Sequence, residues 1–496
     1  MAIAMKLKLG LLCVLITACG RESLVVPVVP VLPAVPRIPL SPLNFGTVSV
    51  RLTSPIPDTV RGLSLYVDVA TSGGKGKTDL FWSLDGTAAV GTVHAEFGPN
   101  YTAKSDSTWT VFVAQNLKPG THRFVVVAID SARYVDSLVS IFVVKIDTAR
   151  YRAQVLQTLG GLLAEPHDIN ASGFVAGMAQ DAAGVAHPVV WSGGQVHALP
   201  DNGVGVAYGL NDKGAVVGLA QDGRVSRSCI RGVIWRYWGA VELLPNYPLP
   251  SVPDTSDACQ SLDDPSLYGG LRNVEYVCFY FGCPGGASWP RLINERGTIL
   301  TRAFRDKAGE VTRIGGPYMS RWVMNNVDRV AFTEQDRTVP LYEAHGTIFG
   351  VGAVPTPPAG CHSFNRVYSY VNAIDDRSNV AGTVARCDVR AFIANAKGEV
   401  TDLSSLTGGL GAISLDNAGD VLFAGNYGGN MGFQEVRDEA LAPHVLRGGR
   451  LAAIAVEQRG WTTVRVMKMN DSGIIMGTAT GPDGLKHAVI LTPSAP

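Results

Sequence analysis

The sequence predicts an all-β chain in which a β-sandwich precedes a ring of repeated four-stranded units. Three observations carry that expectation. Glycine (56 residues) and proline (29) are abundant, and no apolar 3.6-residue period of helical length follows the first twenty residues. Short apolar or alternating segments bounded by turn residues recur along the chain. From Asp147 onward, one polar turn followed by an apolar strand is written seven times.

At 496 residues the chain is long enough for more than one domain with its own core. Lysine plus arginine (42) balance aspartate plus glutamate (42), so nothing points to nucleic acid or to an acidic membrane surface. The opening "MAIAMKLKLGLLCVLITACGRES" has the form of an export signal, residues 1–18. Lys6 and Lys8 give the charged start, and Leu9–Ile16 is too short an apolar run to span a bilayer. Its end, "ITAC", resembles the bacterial lipobox, which implies that Cys19 is lipidated and becomes the new N-terminus. The alternative is an ordinary secretory signal cut near Ala18. Gly20 follows the cysteine where retention in the inner membrane would call for Asp, and the resemblance to bacterial lipoproteins then implies the outer membrane, facing the periplasm or the cell surface.

Residues 19–44 follow as a tether, in which "VVPVVPVLPAVPRIPLSP" favours extended polyproline II. Residues 45–148 carry the strand patterns "GTVSVRL", "LSLYVDVA", "TDLFWSLDG", "TWTVFVAQ" and "HRFVVVAID", enough for a sandwich of six or seven strands. Within them "LKPGTHRFVVVAID" (Leu117–Asp130) resembles the late hairpin of immunoglobulin-like and fibronectin-like modules of bacterial surface proteins. That likeness implies a spacer.

Residues 149–496 hold the repeats. Their turns place Asn170, Asn211, Asn294, Asn325, Asp375, Asp416 and Asn470 at one position. Gly173, Gly214, Gly297, Gly419 and Gly473 stand three residues later, with Asp328 and Ser378 in the other two copies. Asn or Asp at the head of a turn bonds the backbone two residues on, and Gly accepts positive φ. Each unit adds a strand headed by His or Arg (His187, Arg231, Arg302, Arg390, His444, His487; Val339 breaks the pattern) and a further strand after a Gly-containing turn. Four strands in about 41 residues is the arithmetic of a propeller blade, so a seven-bladed β-propeller is expected. The last unit lacks a fourth strand, and "QVLQTL" (Gln154–Leu159) supplies one ahead of the first, zipping the ring shut.

Turn spacings are 41, 83, 31, 50, 41 and 54 residues. The 83-residue gap has room for an eighth blade, but its middle, residues 246–287, lacks the turn signature and holds three cysteines, which reads as a disulfide-stapled insertion. The 31-residue spacing leaves the third unit little room for separate second and third strands. Setting aside Cys13 and Cys19, six cysteines remain: Cys229, Cys259, Cys278, Cys283, Cys361 and Cys387. An even number in an exported chain suggests disulfides, with 229–259, 278–283 and 361–387 preferred among 15 connectivities. No metal site is expected, since no CxxC or histidine at ligand spacing accompanies them.

Together the turn, the "VxG" strand, the His/Arg-headed strand and the "TLGG"-like ends (Thr158–Gly161, Leu406–Gly409) resemble the bacterial extracellular repeat family named for its His-Ala-Phe tripeptide. The resemblance covers about 340 residues and implies export and a propeller, with no established chemistry.

No GxSxG, HExxH, P-loop or dinucleotide-binding fingerprint in proper context appears, and no cofactor is expected. The basic heads suggest either a ring that collects an anionic ligand such as an acidic sugar, or side chains that bond a nearby turn carboxylate or amide and lock each blade; repetition in nearly every unit favours the second. Tyr268, Tyr276, Phe279, Tyr280, Phe281 and Trp289, in and beside the insertion, are the candidate contact surface. The expectation is therefore a monomeric, non-catalytic, membrane-anchored protein with an immunoglobulin-like β-sandwich and a propeller that contacts protein or glycan. The alternative is an exported propeller enzyme acting on a glycan as a hydrolase or lyase.

Overall fold

The computed structural model describes residues 48–53, 55–63, 65–74, 78–88, 107–114, 117–201, 204–221, 230–244, 290–301, 304–307, 310–313, 319–334, 341–344, 347–350, 368–385, 389–425 and 442–494. The signal, tether, Cys19, the six other cysteines, the insertion and its aromatic residues lie outside them. The described chain is almost wholly β, with a single helical turn, Ser404–Thr407. Among the described residues no helix is long and apolar enough to cross a membrane.

The N-terminal part is two packed sheets. One orders Ser49–Leu52, Leu65–Ser72 and Ser107–Ala114; the other orders Thr59–Val60, Val135–Val144, Gly120–Asp130, Thr78–Leu84 and Thr87–Ala88. Alternation puts Phe124, Val126 and Ala128 inward, against Val67, Val69, Leu80 and Phe142. Asp130 closes the hairpin, its Oδ1 accepting the Ala132 and Tyr134 amides at 2.9 and 2.8 Å. This unit sits on the repeats through Leu63, whose amide donates to the Leu406 carbonyl at 2.9 Å and whose side chain joins Leu403 and Leu410 in one cluster. A Cβ at Gly62 would stand 2.5 Å from the Ser405 carbonyl oxygen, so backbone meets backbone there.

The remainder is a propeller-like succession of antiparallel sheets in chain order. Five are separate four-stranded sheets, beginning at Gly160, Gly205, Pro290, Met319 and Tyr368. The last two groups merge into one eight-stranded sheet, because the strand Asp147–Val155 pairs on both sides. It runs parallel to Arg450–Val456 and antiparallel to Lys486–Pro493, the C-terminal strand. The closing strand therefore starts upstream of the expected "QVLQTL", of which only Gln154 and Val155 belong to it. The cause is visible in its period of two: Ala149, Tyr151 and Ala153 turn inward while Arg150 and Arg152 turn out, and Tyr151 is 1% exposed. Leu156, one residue on, is already in the core beneath the first repeat.

The third repeat also corrects expectation. It holds four strands, Pro290–Ile293, Ile299–Thr301, Phe304–Lys307 and Glu310–Arg313, by shortening each to three or four residues.

Each innermost strand carries a register shift. In six of the seven it falls three residues before the turn Asn or Asp, at His167, Tyr208, Arg291, Asn372, Ile413 and Met467; in the fourth it falls at Ser320. A bulge bends its strand and re-aims the extra side chain. Close approach at the bulge explains the glycine of the "VxG" strand. A Cβ at Gly177, Gly218 or Gly477 would lie 2.0–2.1 Å from the carbonyl oxygen of Glu165, Val206 or Arg465 on the neighbouring strand.

Replacing Tyr151 by Ala should remove about 3 kcal/mol of stability, because the ring fills the seam between the first and last strands of the repeat region. Thermal unfolding of Tyr151→Ala should show a single, lower transition; an unchanged Tm would deny the strand its closing role.

Candidate functional site

The repeat turns build one end of the site. In all seven, the side-chain oxygen at the head of the turn accepts the amide four residues on, at 2.7–3.0 Å. The expected bond two residues on accompanies it at Asn294, Asn325, Asp416 and Asn470. The five glycines adopt φ between 73° and 92°, and their replacements Asp328 and Ser378 adopt 64° and 69°. Both replacements serve the neighbouring turn: Asn294 Nδ2 donates to Asp328 Oδ1 at 2.7 Å and Asn325 Nδ2 to Ser378 Oγ at 3.3 Å.

Asparagine has a second use that aspartate lacks. Asn170, Asn211, Asn294 and Asn325 each donate Nδ2 to the backbone carbonyl at the head of the following turn, at 2.9–3.3 Å. Asn470 donates to the Asn170 carbonyl at 2.8 Å and so joins the last turn to the first. Asp375 and Asp416 cannot donate. At those two steps the adjacent residues take over: the Asp376 amide donates to Asn417 Oδ1, and the Asn417 amide to Asp471 Oδ1, each at 2.8 Å. Asn372 Nδ2, donating to the Ala412 carbonyl, and Ser414 Oγ, donating to the Met469 carbonyl, add further links.

The second turn position forms a concentric set. Its side chains Asp212, Glu295, Asn326 and Asp376 accept, in turn, the amides of Ser172 (one position further along its own turn), Asp212, Glu295 and Asn326. The Asp212, Glu295, Asn326 and Asp376 side chains ring a small polar cavity of about 180 Å³. Burial, with repulsion from Asp212 and Asp376, raises the Glu295 pKa above its ordinary value even though it accepts the Asp212 amide. Burial likewise raises that of Asp416, against bonds from three backbone amides.

Beyond the turns lies a larger cavity of about 520 Å³, lined by the innermost strands of six repeats, the second excepted. Five bulge residues line it: His167, Arg291, Asn372, Ile413 and Met467. Its other walls mix the apolar side chains of Leu292, Val323, Met324, Val371, Ile374 and Met476 with the polar Ser414. Arg465 and Lys468 add cationic groups. The carboxylate in the wall, Asp168, is 4% exposed, pairs with Lys468 Nζ, and accepts the Ile169 and Leu210 amides at 3.0 and 3.1 Å. The buried Tyr208 ring orders one side. Arg291 lies over it with Cζ 4.3 Å from the centroid, and His167 meets it edge-on at 5.2 Å.

The basic strand heads stand elsewhere. Of the heads whose side chains the structure describes, His187, Arg390, His444 and His487, none lines either cavity. His187 bonds Asp201 and Asp181 at 2.9 and 3.3 Å; burial pulls its pKa down, and the two carboxylates outweigh that to hold it above the ordinary value. His487 bonds Asp483 at 2.8 Å, while His444 is buried against the Ala442 carbonyl and its pKa is lowered. Arg390 lies 3.9 Å from Asp402. These heads bind their own repeats, through carboxylates and carbonyls outside the seven recurring turns. Sequence reasoning missed His167, Asp168, Arg291, Arg465 and Lys468. The readable signal was polar residues in strands that end in the turn, as in "PHDIN", "PRLIN" and "MKMN".

No protein-family model matches the chain, and no curated protein matches it. Solved structures do. Virginiamycin B lyase from Staphylococcus aureus is 13% identical with a TM-score of 0.39, over 69% of this chain and 100% of that one. The extracellular domain ascribed to a one-component system of B. thetaiotaomicron is 10% identical, TM-score 0.40, over 70% of this chain and 40% of that one. A puromycin-hydrolyzing peptidase of Mycobacterium tuberculosis is 10% identical, TM-score 0.39, over 69% and 55%.

Asp416→Asn should supply the missing donor and relieve a buried carboxylate whose pKa is raised on folding. A raised folded pKa means that stability is greatest below the unfolded value, about 4, and is lost as pH rises through the folded one. The Tm advantage of the variant should therefore be smallest near pH 3 and grow toward neutrality. An advantage that shrinks with rising pH would refute the assignment.

Proposed function

We propose that the chain is an exported, lipid-anchored, non-catalytic binding protein: an immunoglobulin-like sandwich carrying a seven-bladed propeller with repeats of the His-Ala-Phe type. The seven blades are supported by the circuit of turn hydrogen bonds. In particular, Asn211 bonds Asn294 directly across the 83-residue gap at 2.9 Å, so the second and third units are immediate neighbours. The observation that carries the binding reading is the central cavity. Its size is that of a small-molecule site, and its walls combine apolar side chains with convergent polar and charged groups.

A glycan hydrolase needs a second carboxylate facing the first across the bond it cuts. In this cavity Asp168 is committed to Lys468 and to two amides, and the carboxylates of the turns accept backbone amides. Those commitments favour binding over turnover. An anchor at Cys19 would hold the protein at the outer membrane, with the tether and sandwich setting the cavity away from the lipid surface.

Two measurements test this reading. Wild-type protein expressed in a bacterial host should fractionate with membranes and incorporate labelled fatty acid, and Cys19→Ala should do neither. Incubation with a panel of acidic and neutral polysaccharides should release no new reducing or unsaturated ends; steady turnover of any of them would establish the enzyme instead.

A further inference from the structure

The hairpin turn after the third strand of the second repeat breaks a rule that its counterparts keep. In the first and sixth repeats the two central residues of this turn are Gly193-Gly194 and Gly448-Gly449, with φ between 54° and 83°. The second repeat puts Tyr237 and Trp238 there, at 49° and 62°, and the Gly239 amide closes the turn on the Arg236 carbonyl at 3.1 Å. A side chain with a Cβ is disfavoured in this region, which is why such turns favour Gly, Asn and Asp. Among the described residues no other two adjacent non-glycine residues both take positive φ. Strain of this kind persists where the side chains it places are put to use.

The two rings have different surroundings. Trp238 packs into the cluster between the first and second repeats, stacked on His197 at 5.8 Å and meeting Phe174 edge to face at 5.2 Å. Packing accounts for its place. It does not account for Tyr237, which is 85% exposed. That residue is held all the same. Its amide donates to the Gly214 carbonyl at 2.9 Å, and its ring lies beside Gly214, where an added Cβ would stand 3.7 Å from Cδ1. An aromatic face is thus presented to solvent on ordered backbone, with little freedom left to lose on binding.

The groups beside that face are polar, and their charges cancel. Arg236 Nε donates to Glu242 Oε1 at 2.8 Å, both side chains are half exposed, and Arg236 is near enough to Tyr237 to feel its charge. A pyranose matches this arrangement: one side of the sugar offers C–H groups to the negative face of an aromatic ring, and its rim offers hydroxyls to donors and acceptors. A lipid or an apolar peptide calls for a broad hydrocarbon patch, and one ring among charged groups is not that. An acidic sugar would gain nothing from a neutralised pair.

We infer that the Tyr237–Trp238 turn is a surface subsite for a neutral hexose glycan: Tyr237 stacks on the pyranose, Arg236 and Glu242 bond its hydroxyls, and Trp238 holds the turn in place. None of these residues lines the central cavity, and the inference goes beyond the reading given for it.

The test titrates the full chain with cellohexaose, mannohexaose and maltohexaose, and with hexagalacturonate as the acidic control. At least one neutral probe should bind with a Kd of about a millimolar or tighter, and hexagalacturonate more weakly. Tyr237→Phe, which keeps the ring, should retain binding, whereas Tyr237→Gly should weaken it about tenfold or more. The glycine variant also relieves the turn, so its Tm should hold or rise. A tyrosine kept for packing alone would give the opposite pair, a lower Tm with unchanged binding. Should Tyr237→Gly fail to fold, Tyr237→Asn, which tolerates the same φ, takes its place. Ala373→Trp, which crowds the central cavity from one wall, should leave binding unchanged. Binding lost in that variant and kept in Tyr237→Gly would put the glycan in the cavity, overturning the inference and sparing the binding reading. Binding of no neutral probe by folded protein, as expected of a turn that seats another protein, or a preference for hexagalacturonate, would overturn it outright. Failure of the binding reading itself would show separately, as new reducing ends released from a bound oligosaccharide.

Discussion

One interaction organises the repeat region: the side-chain amide at the head of a turn donating to the backbone of the next turn. It couples repeats that are 31 to 83 residues apart in sequence, and in Asn470 to Asn170 it couples the two ends of the series. These asparagines are 3–6% exposed, so each would cost free energy if left unpaired. The same atom set does two jobs. Oδ1 shapes the turn from within, and Nδ2 reaches the neighbour. Where aspartate stands in the sequence, the second job passes to Asn372, Ser414 and the residues one step further along, which keeps the circuit complete without a repeated residue.

A second constraint follows from crowding the innermost strands around an axis. Each carries a bulge, and in five of the seven the bulged residue lines the cavity. Glycine on the adjacent strand is what lets the bulged backbone come so close. Much of the chemistry of the cavity is therefore set by a position that differs from repeat to repeat, His167, Arg291, Asn372, Ile413 and Met467, while the flanking positions keep the architecture. Repetition builds the wall, and departure from repetition furnishes it.

That division explains what was legible beforehand. The turn, the glycine and the strand alternation recur, so their meaning could be read from one copy and checked in six others. The exceptions Asp328 and Ser378 became intelligible only from their bonds to the preceding turn. Bulges leave no periodic trace, and so Arg291 and Lys468 read as ordinary polar residues at strand ends. The closing strand lies upstream of the apolar run that suggests it, because Arg150 and Arg152 hide the inward row of Ala149, Tyr151 and Ala153 from any count of apolar runs. The contact between Leu63 and Leu406 joins segments more than 300 residues apart, and nothing local announces it. The docking residues of "LTGG" had been legible only as a repeat signature.

Two residues separate the strand Asp147–Val155 from the sandwich strand that ends at Val144, and it hydrogen-bonds to a neighbour along each of its flanks. Any pull delivered through the sandwich therefore enters the ring along the axis of a strand clamped on both sides. Rupture in that direction requires sliding, in which many backbone bonds resist together, whereas peeling from an edge would break them one at a time. The seam between the first and last strands is thus also a mechanical clutch.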